Sequence, residues 1–292
     1  MKLAAFPKCF MDQLVRDRTM TVFEWIEMAA DLPVDGLEMY DGFFQSLEPA
    51  HLGEVRAAIG RRGLEMPMLC CSPDFTFPEA REREREVERE KAMIDATAAL
   101  GGRFCRVLSG QRRPGVLREQ GVGWVVECLR ELLDYAAARN VVLAMENHYK
   151  DNYWQHPEFA QASDVYAEIL SQVDSPSLGA QFDPSNAILA GEDPIELLAR
   201  IKHRVVTMHA SDRRLKPGHT LEELRKVEDS AGYAAILSHG VVGSGLNDYP
   251  RIFAILRQAG FDGWVSIEDG VNGLEEIRES AEFLLPFIRG SA

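Results

Sequence analysis

The sequence holds no apolar stretch approaching the roughly 18 uninterrupted residues that a membrane-spanning helix requires. Basic residues are few beside acidic ones: 32 Lys and Arg against 46 Asp and Glu leave a formal charge of −14. Such a surface repels phosphate backbones, which sets nucleic acid aside as a partner. Cysteine is scarce, and Cys9, Cys70, Cys71, Cys105 and Cys128 form neither a C-x-x-C pair nor an evenly spaced framework. An odd number of thiols lying mostly in strand-like runs points to a reducing compartment. The apolar run before Pro7 and Lys8 is too short for a signal peptide, so the expected location is the cytoplasm. GxxxxGK is absent, nothing marks a nicotinamide site, and no low-complexity linker divides the chain.

What is present is a regular alternation. A chain of 292 residues that is 46% hydrophobic can bury a large core, and its length suits one (β/α)8 barrel, typically about 250 residues. Short apolar runs at 2–6, 36–40, 64–71, 103–108, 141–147, 178–183, 204–210 and 263–269 read as strands. Segments with a period near 3.6 lie between them. Gly63, Gly101, Asn140 and Gly260 stand where helices should stop. Eight strand-then-helix units predict a closed parallel α/β barrel, one TIM-barrel domain over residues 1–292. The run REREREVERE at 81–90 alternates in sign and reads as a solvated helix face. The single oversized connection, 211–242, follows the seventh strand and carries its own helical pattern, LEELRKVE. Insertions of that kind build lids or substrate walls.

In such a barrel the active site lies at the C-terminal ends of the strands. Strands five to eight end on Glu146, Asp183, His209 and Glu268, in AMEN, FDPSN, MHASD and SIED. One polar residue at a strand end reads more simply as a cap; four on consecutive strands converge on one side of the mouth. Three carboxylates so close would repel one another unless a cation sat among them. An oxygen-rich set with one imidazole suits one divalent metal ion, Mn²⁺ first or Mg²⁺, with Co²⁺ and Zn²⁺ as alternatives.

These motifs, together with GSGLNDYPRIFAILRQAGFDGWVSIED, resemble the xylose isomerase-like barrels, the sugar phosphate isomerases and epimerases. Ketose 3-epimerases, hydroxypyruvate isomerase and inosose dehydratase belong to that group, with endonuclease IV more distant. The resemblance implies that Glu146, Asp183, His209 and Glu268 are metal ligands and that Glu146 and Glu268 also form an acid–base pair. The chemistry fits. A divalent ion on a carbonyl and its neighbouring hydroxyl acidifies the C–H between them, and a glutamate can take that proton to form an enediolate. Return of the proton gives epimerisation or aldose–ketose isomerisation; loss of a β-leaving group gives elimination. A metal-dependent sugar isomerase or epimerase is the leading reading, and a keto-sugar or inosose lyase is the alternative.

Around the metal, the segment 146–156 offers His148, Lys150, Asn152 and Tyr153 to sugar hydroxyls. Asp212, three residues after His209, is placed to orient the imidazole or donors near it, and Arg213 and Lys216 could meet an anionic group. Arg106 is expected to pair with Glu38 or to touch substrate, and His239 reads as an ordinary residue of the insertion. Asn186 departs from the resemblance: many relatives place a histidine there, which could carry charge or move a proton where asparagine cannot. That departure, the single convincing histidine ligand and the acidic charge weigh against an abasic-site endonuclease. The partner expected is a small sugar or keto-sugar, with no membrane and with a homo-oligomer left open.

Overall fold

The computed structural model describes residues 1–151, 153–227 and 232–290. Its strands are β1 (Lys2–Ala5), β2 (Gly36–Leu37), β3 (Met39–Tyr40), β4 (Met68–Cys70), β5 (Phe104–Val107), β6 (Val142–Glu146), β7 (Leu178–Phe182), β8 (Val205–Ala210), β9 (Arg213–Leu215), β10 (Leu237–His239) and β11 (Trp264–Ile267). Nine of them form one parallel sheet in the order β2-β1-β11-β8-β7-β6-β5-β4-β3. The two ends of that order, β2 and β3, are halves of one five-residue run interrupted at Glu38. β2 pairs with β1 and β3 with β4, so the sheet closes into an eight-stranded TIM barrel.

The helices are α1 (Val22–Ala29), α2 (Pro49–Arg61), α3 (Ala80–Leu100), α4 (Arg118–Ala138), α5 (Ser163–Gln172), α6 (Pro184–Leu189), α7 (Pro194–Ile201), α8 (Leu224–Val227), α9 (Tyr249–Gln258) and α10 (Leu274–Arg289). Among the described residues no helix is long and apolar enough to cross a membrane. Gly63, Gly101, Asn140 and Gly260 all take positive φ just past a helix, the conformation that ends one. α1 opens on a capping box in which Thr21 and Glu24 satisfy each other's backbone donors.

Two features depart from the expected pattern. The alternating run at 81–90 lies in α3, and most of it faces solvent, but Glu90 is buried and accepts from Cys105 Sγ at 3.2 Å. Burial pushes its carboxyl well above the ordinary range, so this charged member of the run is a core group, as is Val87. The insertion after β8 is not simply helical. It folds as an antiparallel hairpin of β9 and β10, with His239 opposite Arg213, and a short helical turn, Leu221–Val227, lies in between. The last residue of LEELRKVE lies outside the described residues.

Candidate active site

Glu38 lies in the second barrel strand and His209 in β8, and these strands are not neighbours, yet His209 Nε2 stands 2.6 Å from Glu38 Oε1. The two side chains must therefore meet across the inside of the barrel. Side chains alternate along a strand, so the same face carries Cys70 on β4, Arg106 on β5 and Glu146 on β6. Contacts confirm this: Cys70 Sγ lies 3.0 Å from Glu38, and Arg106 lies 2.9 Å from Glu146 Oε2. The intervening residues, Leu37, Met39, Leu69, Cys105 and Met145, are buried apolar side chains of the core between strands and helices. One strand period thus separates a polar lumen from an apolar outer layer.

At the C-terminal end of that lumen Glu146, Asp183, His209 and Glu268 converge. All four are buried, and each offers an oxygen or nitrogen within 4.8 Å of the others'. His209 Nδ1 stands 3.1 Å from Glu146 and 3.5 Å from Glu268. Asp183 caps α6, taking the N–H groups of Ser185 and Asn186 and the hydroxyl of Ser211, all on Oδ1. It is both a cap and a member of the cluster. Pro184 at the first helical position fixes the turn that aims it.

The charges explain one another. Burial and the carboxylates of Glu268 and Glu146 push Asp183 up to about 7. Burial would also raise Glu146, but the charges of His209, His148 and Arg106 outweigh it and bring its carboxyl down to about 2. Glu268 is held well below the usual range, because Lys8 and His209 overcome its burial. His209 is raised well above its usual value: burial opposes the imidazolium, but Glu38, Glu146 and Glu268 favour it. Three buried carboxylates, one of them still driven towards its neutral form, and one imidazole make a donor set that could hold a divalent cation.

Two members of this surround depart from the sequence expectation, Lys8 by its presence and Glu38 by its partner. Lys8, in the turn after β1, reaches Glu268 Oε1 at 3.0 Å. Glu38 does not pair with Arg106 but fixes His209 Nε2, which leaves Nδ1 facing the cluster. Arg106 instead bridges Glu146, the Cys71 carbonyl and Ser72 Oγ. The alternation in GLEMY indicates that Glu38 faces inward, but not which residue it meets.

Asn186 Nδ2 lies 3.3 Å from Glu146 Oε1, inside the cluster. His148, Lys150, Arg213 and Glu268 line a cavity of about 760 Å³ above it. Tyr153, largely exposed, borders a narrower recess with Tyr40 and Arg106, and Asn152 lies outside the described residues. Asp212 does not touch the imidazole. Its carboxylate gathers the N–H groups of Arg213, Gly243, Gly245 and Asn247 and so anchors the 243–247 loop. A Cβ on Gly245 would stand 2.4 Å from that carboxylate, which is why glycine is needed there. Arg213 is buried against Asp269, while Lys216 is at the surface, bonded to the Ala234 carbonyl.

Comparison with known proteins follows the same lines. A family model described as a xylose isomerase-like TIM barrel matches residues 26–287. An inosose dehydratase of Geobacillus thermodenitrificans (strain NG80-2) is 22% identical over 227 residues, 73% of this chain and 72% of that protein. Among solved structures, a D-tagatose 3-epimerase-like protein superposes with a TM-score of 0.77 at 17% identity, covering 99% of this chain and 97% of the other. A structure of IOLI protein with a bound zinc atom superposes with a TM-score of 0.75 at 17% identity, covering 99% and 98%.

Proposed function

The chain belongs to the xylose isomerase-like TIM-barrel family, and on that premise we propose that it is a divalent-metal-dependent enzyme acting on a sugar or a cyclic keto-polyol. It removes the proton next to the substrate's carbonyl. The observation that carries this reading is the buried convergence of Glu146, Asp183, His209 and Glu268, which we assign as the ligands of one ion, Mn²⁺ first among the candidates. A bound divalent ion would supply the positive charge that polarises the carbonyl and acidifies the neighbouring C–H.

The chain's own residues then divide the work. Glu146 and Glu268 are the acid–base pair. Arg106 stands at 2.9 Å from one and Lys8 at 3.0 Å from the other, and each cation keeps its glutamate ionised and ready to take a proton. Glu38 holds the His209 ring in one orientation, and the α6 N-terminus holds Asp183. Asn186 can bond a substrate oxygen without exchanging a proton. His148, Lys150, Tyr153 and Arg213 form the wall that meets the substrate's other hydroxyls.

Return of the proton gives an epimerase or isomerase, and loss of a β-hydroxyl gives a dehydratase. The second outcome is favoured by the name of the curated relative, an inosose dehydratase, which matches over about three quarters of the chain. The test is incubation with ketoses and inososes in D2O with Mn²⁺, followed by NMR. Deuterium should enter next to the carbonyl with the wild type. It should not enter with Glu146→Gln or Glu268→Gln, although both keep the wild-type circular dichroism. Exchange at wild-type rate in either variant would remove that glutamate from the chemistry.

A further inference from the structure

Elimination of a β-hydroxyl needs a proton for the departing oxygen as well as a base for the C–H. Three cations that line the cavity are poorly suited to give one. Lys8 is tied to Glu268, the Lys150 ammonium is on the Gln155 carbonyl, and an arginine such as Arg213 does not release its proton. His239 differs. It lies on β10 of the insertion, lines the same cavity as Glu268, and is about one-fifth exposed there. Its Nδ1 stands 2.9 Å from Oδ1 of Asp269, the residue next to Glu268. Asp269 is fully buried and is itself held by the Asp212 N–H at 2.7 Å and by Arg213 at 3.3 Å. The Tyr233 ring packs on the imidazole at 6.5 Å and 64°. A carboxylate accepts and does not donate, so Nδ1 carries the hydrogen that bonds Asp269, and Nε2 is left for the cavity.

We propose that His239, oriented by Asp269 and carried into the cavity by the β9–β10 hairpin, is the general acid that protonates the leaving hydroxyl in a dehydration. This rests on the reading of the site as one that abstracts a proton next to a carbonyl. In the step, a glutamate takes the C–H proton and the electron pair forms the enediolate. The pair then returns to remake the carbonyl, a carbon–carbon double bond forms between the next two carbons, and the C–O bond breaks. The oxygen takes the Nε2 proton and departs as water. His239 is left neutral, with Nδ1–H still on Asp269, and is reprotonated from solvent; the product is an enone. The insertion thereby acquires a chemical role as well as a place in the cavity wall. Asp269 is the positioning residue, and the groups facing the imidazole are Asp269, Tyr233 and, across Asp269, Arg213.

The experiment uses the full chain with Mn²⁺ and 2-keto-myo-inositol as probe in D2O. Deuterium incorporation is read by NMR and enone formation by ultraviolet absorbance. For His239→Asn and His239→Gln, the ratio of elimination to exchange should fall about 100-fold, the low end of what a general acid contributes, and added imidazole should recover part of it. An unchanged ratio in both variants, with elimination and exchange either retained or lost together, overturns the assignment. Wild-type exchange without elimination also overturns it but leaves the proton-abstraction reading standing. Absence of wild-type exchange overturns both.

Discussion

Replacing Arg106 by methionine tests whether Glu146 is held ionised by a buried cation. Arg106 is buried, and its guanidinium makes three contacts, with Glu146 Oε2 at 2.9 Å, Ser72 Oγ at 2.9 Å and the Cys71 carbonyl at 3.1 Å. Methionine fills much of the aliphatic stem but supplies no charge and no donor. Removing one partner of a buried pair typically costs about 3–5 kcal/mol, because the other charge is left in a poorly solvated place. Glu146 keeps His209 at 3.1 Å and Asn186 at 3.3 Å, which argues for the lower end of that range. Unfolding entropy near 2.1 cal/mol/K per residue gives about 0.6 kcal/mol per degree for a chain this long, so the loss is about 5 °C in melting temperature. The assay is thermal unfolding by circular dichroism with chelator present, repeated with excess Mn²⁺. The deficit should be full in chelator and smaller with the ion, which would give Glu146 a further cationic partner. Arg106→Lys should recover only part, since one ammonium cannot span three acceptors. A midpoint for Arg106→Met within a degree of wild type in chelator would refute the reasoning.

Protein purified without chelator should carry about one divalent ion per chain by elemental analysis. Restoring Mn²⁺ to 100 times its Kd should add about 2.7 kcal/mol, or about 4 °C, with little effect on Asp183→Asn. Asp74 gives a pH dependence away from the cluster: burial would raise its carboxyl, but the hydrogen bonds of Arg113 and Gln111 and the Arg113 charge hold it below the ordinary value. Its contribution is therefore complete above about pH 4 and is lost as pH falls through the depressed folded value. Stability measured by urea titration should show the gap between wild type and Asp74→Asn narrowing below about pH 4. Gly245→Ala places a Cβ 2.4 Å from the Asp212 carboxylate and the Arg213 carbonyl and should cost about 1–3 kcal/mol in the same assay.

Several parts of the site were legible because they follow from period and position. Glu146, Asp183, His209 and Glu268 each close an apolar run, and a parallel barrel brings the ends of consecutive strands together whatever the loops do. Asn186 could be placed for the same reason, three residues after Asp183 on the turn that Pro184 begins. Lys8 could not, because the turn after β1 has no periodicity and its reach to Glu268 joins residues 260 apart in sequence. Asp212, three residues on from His209, suggests a partner of the ring or of donors near it. The chain turns after β8, and its carboxylate serves a loop thirty residues further on. His239 looked ordinary because a helical pattern in the insertion hid the hairpin that carries it.

The sequence by itself determined the barrel, the strand ends that bear carboxylates, and the positions where helices stop, since hydrophobic period, glycine and proline act within a few residues. Tertiary structure alone decided the pairings: Glu38 with His209, Arg106 with Glu146, Lys8 with Glu268 and His239 with Asp269. Several chemically equivalent partners face the same lumen, and distance selects among them only once the sheet has closed. Alternation along a strand specifies the face a charge occupies. Which opposite charge it meets depends on where distant strands and loops finally lie, and in a buried site that choice sets which carboxylates stay ionised and which way a histidine ring is turned.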